Sequence, residues 1–449
     1  MTSFLLFGLG ALSACRDHTS TKPPGQEVRL WHTFNPHETE ALNDVIARVQ
    51  ERYPDVRVRA TVIPFSQAQN AFRRAVTGCA PNAPDVFRAE LPWLAGFVER
   101  GFLRPAKGKV VPRGDYLAEA ADVGRYRGKT YLVPTSVDGL ALLYNKALLK
   151  KPPQTLKQLI SVGQRLTTDR AGKPSSSPAF VVSQAIRWGF YVRADGYWFL
   201  PFLWAHGGQL LDPDSGEIFI DKARAVQALS FYRDLARTHH IAPPHLRLSN
   251  DYEDQLQRFG RGELAMMVNG PWAARAILKQ PAFREHRHLG VAPLPMGPSG
   301  RPTAPMSGHG FVVSRCAKDP ALAWKLAMAL ADGDAQMVFA ERAGLLPAIA
   351  EVYDRARVKR LPLIGAFRAA LKGARARPAH PIMARIFDDF TPAVQAVLLG
   401  DAQPKEALAA VAKAWRRLLG PPTTPATAPA TAPAGSPAAS QPGKSGLAP

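Results

Sequence analysis

Two short segments with apolar residues at alternate positions flank a longer segment with helical periodicity. Residues 28–30 and 56–62 alternate in this way, which is typical of β-strands with one buried face. Between them, apolar side chains recur at i, i+3, i+4 and i+7, which predicts one buried stripe along a helix. These positions are Leu42, Val45, Ile46 and Val49. A strand, a helix and a second strand at this spacing predict a βαβ unit with parallel strands.

The same alternation of strand and helix continues along the chain. Short apolar segments at 84–87, 130–133 and 310–313 predict further strands, and the periodicity of 222–236 predicts another helix. Repeated strand–helix units favour an α/β fold with helices on both faces of a sheet. In such sheets ligands bind beyond the carboxyl ends of the strands, so the segment WHTFNP at 31–36 is a candidate site.

The first residues have the pattern of a targeting signal. Residues 4–12 (FLLFGLGAL) are too few to span a bilayer but have the length of a signal-peptide core. They lead into LSAC, which looks like a bacterial lipobox. This motif implies a signal peptide at 1–14, acylation of Cys15, and a lipid-anchored tether at 15–26, since stable anchoring needs more than one acyl chain. The alternative is a plain signal peptide with a chance cysteine.

The length and composition bound the remaining possibilities. A chain of 449 residues with 46% apolar and 21% charged residues suits two globular domains. Residues 421–449 are nearly all Pro, Ala, Thr, Ser and Gly, which predicts a disordered tail. Cys79 and Cys316 either form a disulfide or are two small buried residues. Neither lies at metal-ligand spacing, so we expect no metal site and no cofactor.

The chain is strongly basic, with a formal net charge of +21. Such a charge raises nucleic acid or an anionic membrane as partners. However, the basic residues are scattered, and the densest region, 355–377, lacks the interleaved aromatic residues of a nucleic-acid platform. We therefore predict a solvated basic face and no nucleic-acid binding, with adhesion to anionic lipid headgroups as the alternative.

Four segments of the chain carry distinctive motifs. The strongest is FGRGELAMMVNGPW at 259–272, followed by YLVPTSVDGLALLYNKALLKKPP at 131–153 and YWFLPFLWAHGG at 197–208. A fourth is the segment 78–85 with Trp93 beyond it. Together, in their order and spacing, these motifs resemble the maltose-binding branch of the family 1 extracellular solute-binding proteins, and the resemblance covers about residues 27 to 420.

The resemblance implies an α/β, two-lobe periplasmic-binding-protein fold of type II, with a hinge and a ligand cleft between the lobes. The N-terminal lobe would comprise 27–136 and 305–342, and the C-terminal lobe 140–300 and 347–420. Chain crossings near Asp138 would border the cleft. The protein would be a monomer outside the cytoplasmic membrane, capturing a maltose-like or oligosaccharide ligand by hinge closure and delivering it to the transmembrane subunits of an ABC permease.

A neutral sugar needs flat aromatic surfaces for its C–H faces and carboxylates or amides for its hydroxyls. The resemblance places Trp272 as a stacking wall, Asp138 as an acceptor at the hinge, and Asp195 with Tyr197 as an acid and aromatic pair. Each has an ordinary structural alternative. Trp272 could pack beside a tight turn, Asp138 could cap a turn, Asp195 could lie in a surface turn, and Tyr197 could form a half-buried wall.

Further candidates come from the other motifs. Two lie in the loop after the third strand, two at the end of the first strand, and one in the C-terminal part; they are Glu90, Trp93, His32, Asn35 and Phe387. The position that matches a stacking Trp of the family is Ala89. Met383 is an alternative to Phe387, and Ile382 and Phe387 are alternatively core. Arg88 and Arg275, if they point inward, would favour a charged sugar or a phosphate.

Two other functions compete with transport. A glycoside hydrolase would need two carboxylates about 5–10 Å apart, and Asp138 with Asp195 are formally available. Nothing resembles a nucleophile motif such as GxSxG, so we predict no catalytic residues and no enzyme activity. A sugar-sensing or scaffold lipoprotein without a transport role remains the second alternative.

Overall fold

Two β-sheets organise the molecule in the computed structural model, which describes residues 26–107, 115–213, 215–244, 248, 250–284, 286–300 and 304–420. The predicted signal peptide, Cys15, nearly all of the tether and the tail lie outside these residues. The larger sheet has the order β13-β6-β12-β3-β1-β2, with β14 paired to β12. Its strands are β1 (Gln26–His32), β2 (Val56–Val62), β3 (Val86–Glu90), β6 (Leu132–Gly139), β12 (Pro305–Val313), β13 (Leu346–Pro347) and β14 (Arg375–Ala376).

The smaller sheet has three strands in the order β10-β7-β11. They are β7 (Ala141–Asn145), β10 (Met266–Asn269) and β11 (Leu289–Ala292). Two small antiparallel two-stranded sheets complete the strands: β4 (Arg125–Tyr126) with β5 (Lys129–Thr130), and β8 (Thr168–Asp169) with β9 (Ala185–Arg187). Because β6 ends at Gly139 and β7 begins at Ala141, the chain passes between the sheets beside Asp138. It returns between β11 and β12.

Helices cover both faces of the larger sheet and surround the smaller one. Those beside the larger sheet are α1 (Pro36–Arg52), α2 (Phe65–Thr77), α3 (Leu94–Glu99), α9 (Pro320–Ala329) and α10 (Gly333–Ala343). The others are α4 (Leu156–Leu166), α5 (Gly196–Ala205), α6 (Ala223–Arg237), α7 (Asp251–Arg261), α8 (Ala274–Leu278), α11 (Ala356–Lys359), α12 (Pro362–Ala370), α13 (Ile386–Leu399) and α14 (Pro404–Leu419). Among the described residues, no helix is long and apolar enough to cross a membrane.

The predicted βαβ unit is confirmed. Strands β1 and β2 pair in parallel over their whole length, and α1 connects them. Leu42, Val45 and Val49 of α1 are buried in a core that also includes α9 and α10 on one face of the larger sheet. A second core lies on the opposite face, with Phe72 and Phe97 from α2 and α3. Helices on both faces of the sheet therefore agree with the sequence pattern.

A disulfide joins Cys79, which follows α2, to Cys316, which follows β12. It ties two segments of the larger-sheet lobe that are 237 residues apart in sequence. Of the two alternatives left open by the sequence, the structure therefore selects the covalent one. Such a bond indicates an oxidising compartment, because thiols are kept reduced in the cytosol.

Removing this disulfide is expected to lower the free energy of unfolding by about 2–4 kcal/mol, because the bond restricts the unfolded chain. The change is the double variant Cys79→Ser with Cys316→Ser, measured by urea unfolding with and without a reductant. The reductant should destabilise the wild-type chain and leave the double variant unaffected. Equal stability of both chains in the absence of reductant would contradict the expectation.

Candidate functional site

The candidate site lies at the edge of the larger sheet where β3 and β6 end and β12 begins. Strand β12 runs antiparallel to both neighbours, so β3 and β6 share one direction and their carboxyl ends meet at this edge. The register sets His309 opposite Glu90 on one side and opposite Ser136 on the other. Ser307 is opposite Asp138. Two predicted acids from distant motifs, Glu90 and Asp138, are therefore held on the two strands that flank β12.

Glu90 is bound by a side chain that the sequence analysis did not single out. The guanidinium of Arg377 donates to the Glu90 carboxylate and, at 3.2 Å, to the Ser307 hydroxyl. Ser307 also donates to Glu90 at 3.0 Å. The guanidinium carbon lies 5.3 Å from the ring centroid of Tyr197 and 5.4 Å from that of Phe387. Arg377 therefore connects the acid of the larger sheet to two predicted aromatic residues of the other lobe.

This position of Arg377 corrects the prediction of a solvated basic face over 355–377. Its side chain is only 2% exposed, because Glu90, Ser307 and two aromatic rings surround it. Other arginines of the region, such as Arg357 and Arg360, are exposed as predicted.

Asp138 is buried at the end of β6 and lies against a histidine. Its Oδ2 is 3.2 Å from His309 Nδ1. The His309 ring is 6.0 Å from that of Phe65, in an edge-on arrangement, and Phe65 is stacked on Trp93 at 5.4 Å. Trp93 is buried beneath it. The acid, the imidazole and the Phe65 ring therefore form one continuous surface.

Asp195 and Tyr197 begin α5 on the side of the smaller sheet. The Asp195 carboxylate accepts from the Tyr197 backbone N–H at 2.8 Å and so caps the helix. Burial raises the pKa of Asp195, against the opposing charge of Arg193, which lies 3.8 Å away. Burial, followed by the charge of Asp138, raises the pKa of Tyr197 well above its ordinary value. The Tyr197 hydroxyl therefore stays protonated and remains a hydrogen-bond donor.

Trp272 is half-buried and adjoins a group of aromatic side chains. Its ring lies 6.4 Å from that of Trp198, nearly perpendicular to it, and Trp198 lies 6.1 Å from Tyr252. The Arg193 guanidinium stacks on both of these rings, at 4.4 Å from Trp198 and 4.8 Å from Tyr252. A Cβ on Gly270 would overlap the Trp272 indole, so the ring rests directly on that glycine. This packing holds the indole in one orientation.

Phe387 joins this surface to the rest of the site. Its ring is 6.2 Å from that of Tyr197, edge-on, and Tyr197 is 5.4 Å from Trp198. Ile382 and Met383 are buried. Arg275 is exposed and donates to the backbone oxygen of Glu341 at 2.6 Å, so it does not point into the site.

His32 is the last residue of β1 and Arg88 lies in the middle of β3, and both are buried. Arg88 donates to Thr33 at 2.7 Å and stacks 3.9 Å above the Phe34 ring. Burial lowers the pKa of Arg88 to about 10. Burial, assisted by the charge of Arg88, lowers the pKa of His32 to about 4, so this imidazole is neutral near pH 7.

Acidification is expected to destabilise the protein through His32. The unfolded chain has the ordinary histidine pKa of about 6.5 and takes up the proton first, so stability is lost as the pH falls from 6.5 towards 4. The difference between these two pKa values corresponds to a loss of about 3 kcal/mol in the free energy of unfolding at pH 4. Urea unfolding between pH 7 and 4 should give a flatter profile for His32→Gln than for the wild type. The control His239→Gln should keep the wild-type slope, and a His32→Gln profile with that slope would contradict the argument.

Two of the predicted ligand contacts, Asn35 and Trp93, have structural roles of their own. Asn35 caps α1: its Oδ1 accepts from the Glu38 N–H at 3.0 Å, and Glu38 accepts from the Asn35 N–H at 2.9 Å. Trp93 is 6% exposed and stacks between Phe65 and Phe87. Asn35 therefore orients the helix after β1, and Trp93 lies behind Phe65.

Several buried polar atoms at and around this edge have no hydrogen-bond partner among the described residues, whereas most buried polar atoms in proteins are paired. They are His32 Nδ1, Arg88 Nε, Ser136 Oγ, Tyr197 OH, His309 Nε2 and Arg377 Nε. Both donors and acceptors are represented. In the described ranges, no group of His, Cys, Asp and Glu has the arrangement of a metal site.

Sequence reasoning missed several members of this cluster. Phe65 follows the end of a predicted parallel strand, which was a usable signal. His309 lies in a GHG segment of β12 and has no distinctive local pattern. Arg377 lies in a basic region with no local pattern that marks it, and its ion-pair partner Glu90 is 287 residues away in sequence.

The chemistry of the site suits a neutral polyhydroxylated ligand. Acidic acceptors and neutral donors suit hydroxyl groups, and the aromatic rings suit the C–H faces of a sugar. The guanidinium groups of Arg377 and Arg193 are already opposed by carboxylates and rings. This arrangement does not favour a strongly anionic ligand.

Comparisons with known proteins agree with this fold. The GacH receptor of Streptomyces glaucescens, solved unliganded and in complex with acarbose, is 30% identical with a TM-score of 0.79, over 88% of this chain and 98% of that one. The maltose-bound MalE3 of T. maritima is 25% identical with a TM-score of 0.74, over 87% and 99%. These structures confirm the two-lobe type II fold.

Curated sequences and a family model give the same result. The maltodextrin-binding protein MdxE of Bacillus subtilis is 28% identical over 396 residues, 86% of this chain and 88% of the relative. The maltotriose-binding protein of Pyrococcus abyssi is 25% identical over 402 residues, 87% and 81%. The model of the bacterial extracellular solute-binding proteins matches residues 35–337. Since this match spans more than half of the 449 residues, the chain belongs to the bacterial extracellular solute-binding protein family.

Proposed function

We propose that the protein captures a neutral oligosaccharide of the maltodextrin type between its two lobes and delivers it to an ABC importer. The proposed ligand contacts are the acids and aromatic residues that line both sides of the site: Trp272, Tyr197, Phe387, Asp138, Asp195, Glu90 and His32. Asn35 and Trp93 support them from behind. We further propose the lobe limits 27–136 with 305–342 and 140–300 with 347–420.

The observation that carries the proposal is the contact of Arg377 with both sides of the site. Glu90 belongs to the larger sheet, whereas Tyr197 and Phe387 belong to helices beside the smaller one, and Arg377 touches all three. A ligand bound here meets acceptors of one lobe and aromatic faces of the other. Such a ligand favours the closed arrangement by its additional contacts there, which is the basis of hinge closure.

The ligand class rests on the chemistry of the site together with the relatives. The relatives include proteins named for maltotriose and maltodextrin and a receptor solved with acarbose. The acids of the site, paired with Arg377 and His309, offer acceptors for hydroxyl groups. We expect a dissociation constant between nanomolar and micromolar, which corresponds to a binding free energy of about −8 to −12 kcal/mol.

A thermal-shift panel tests the function. Maltose, maltotriose, longer maltodextrins, acarbose, monosaccharides and sugar phosphates are each added to the purified chain. A ligand that binds only the folded state raises the melting temperature. The proposal requires the neutral oligosaccharides to give the largest shifts and to be recovered intact after incubation. A shift with sugar phosphates alone, or cleavage of the oligosaccharide, would overturn it.

Location and delivery form the second half of the proposal. Acylation of Cys15 would hold the protein outside the cytoplasmic membrane, within reach of the transmembrane permease subunits. Membrane fractionation of the wild-type chain and a Cys15→Ala variant tests the anchor. Uptake of the identified sugar by cells with and without this chain tests delivery, and unchanged uptake would favour a sensing role.

A further inference from the structure

Phe65 is a large apolar side chain that is 49% exposed at the edge of the candidate site. The main chain explains its position. Strand β2 ends at Val62, and the next N–H, that of Ile63, still donates to the backbone oxygen of His32 at 2.8 Å. Helix α2 then begins at Phe65. The side chain therefore lies at the carboxyl edge of the parallel strands, where ligands of α/β sheets bind.

A buried aromatic stack fixes the orientation of this ring. Phe65 lies 5.4 Å from Trp93 with an interplanar angle of 26°, and Trp93 lies 6.2 Å from Phe87 with an angle of 11°. Trp93 and Phe87 are buried. One face of Phe65 is thus covered by a buried indole, and its exposed surface belongs to the remainder of the ring.

Polar groups border the ring on one side. His309 meets it edge-on at 6.0 Å and lies 3.2 Å from the Asp138 carboxylate. His309 Nε2 has no hydrogen-bond partner among the described residues. A flat apolar surface beside a carboxylate acceptor and the Nε2 atom of His309 has the two parts that a pyranose ring needs, one for its C–H face and one for its hydroxyls.

We propose that Phe65 is the sugar-stacking platform of the larger-sheet lobe, with Trp93 as its backing and His309 and Asp138 as its hydroxyl partners. Neither Ala89 nor Trp93 fills this role, since Ala89 is fully buried and has no ring, and Trp93 lies behind Phe65. The inference rests on the proposed function and deepens it. It names an aromatic surface in the larger-sheet lobe, in addition to Trp272 beside the smaller sheet.

Isothermal titration with maltotriose tests this assignment. Phe65→Ala is expected to weaken binding by about 10-fold or more, which is about 1.4 kcal/mol. Phe65→Tyr should stay within about threefold of the wild type, because it keeps the flat ring. Phe65→Leu should lose as much as Phe65→Ala, because it is apolar but not flat. The matched control is Val62→Ala, which alters a 57% exposed apolar residue three positions earlier and should bind like the wild type.

The melting temperature of the sugar-free variants separates binding from folding, and a half-exposed ring should change it little. Wild-type affinity in Phe65→Ala or in Phe65→Leu would overturn the stacking role while leaving the proposed function intact. A wild-type chain that does not bind maltotriose would instead overturn the proposed function, and the platform with it.

Discussion

Replacing Trp272 by alanine is expected to weaken the binding of maltotriose by about 100-fold, which is about 2.7 kcal/mol. The indole is half-buried and is held by Trp198 on one side and by Gly270 beneath it. A rigid aromatic face loses little conformational entropy on binding, so nearly all of its contact energy adds to the affinity for the sugar. The substitution by alanine removes that contribution. Titration calorimetry measures the change, with Trp272→Phe as the variant that keeps a smaller flat face.

Gly270 provides an independent way to disturb the same wall. Its backbone has φ −111° and ψ 179°, which alanine adopts without strain, but an added Cβ would overlap the indole. We therefore expect Gly270→Ala to rotate Trp272 and to weaken binding while the protein stays folded. The control Gly365→Ala places a Cβ where no atom lies within 4 Å and should keep wild-type affinity.

The two variants together separate contact from general damage. Trp272→Ala and Gly270→Ala should both weaken binding and both keep the melting temperature of the sugar-free protein within a few degrees of the wild type. Wild-type affinity in both variants would remove Trp272 from the site. Weak binding in Gly365→Ala as well would show that the effects do not come from the indole.

The periodic part of the chain was predictable because each of its elements is determined locally. The stripe of α1 is complete within a few turns, and β1 pairs with β2 as expected. The buried face predicted for β2 is not found, because β2 is an edge strand whose Ala60 and Val62 are exposed. The capping box of Asn35 and Glu38 was also readable, since an Asn three residues before a Glu marks a helix start. The capping role accounts for an asparagine at position 35 without a contact to a ligand.

The missed residues are determined by partners that lie far away in sequence. Arg377 resembles its basic neighbours in the sequence, and its partners Glu90 and Ser307 on distant strands distinguish it. Trp93 is an aromatic residue of the kind that stacks on sugars, yet Phe65 and Phe87 cover it. Burial at these positions depends on the registers of β3, β6 and β12, which hydrophobic periodicity does not supply.

Arg377→Met is expected to be among the most destabilising substitutions at the site. It removes the cation from Glu90 and leaves a buried carboxylate with Ser307 as its side-chain donor. Breaking a buried ion pair on one side typically costs about 3–5 kcal/mol. Urea unfolding measures the loss, and the exposed Arg360→Met from the same basic region is the control, which should change stability by less than about 0.5 kcal/mol.

The double variant Glu90→Gln with Arg377→Met distinguishes lost pairing from lost packing. Without the carboxylate, the methionine no longer faces an unpaired charge, so the double variant should be more stable than Arg377→Met alone. A coupling energy of about 2 kcal/mol or more in the double-mutant cycle would identify the ion pair as the cause. Additive losses would assign the effect of Arg377 to its stacking on Tyr197 and Phe387. Because the pair links the two sides of the site, the cycle repeated in the presence of maltotriose should give a different coupling energy if sugar hydroxyls engage Glu90.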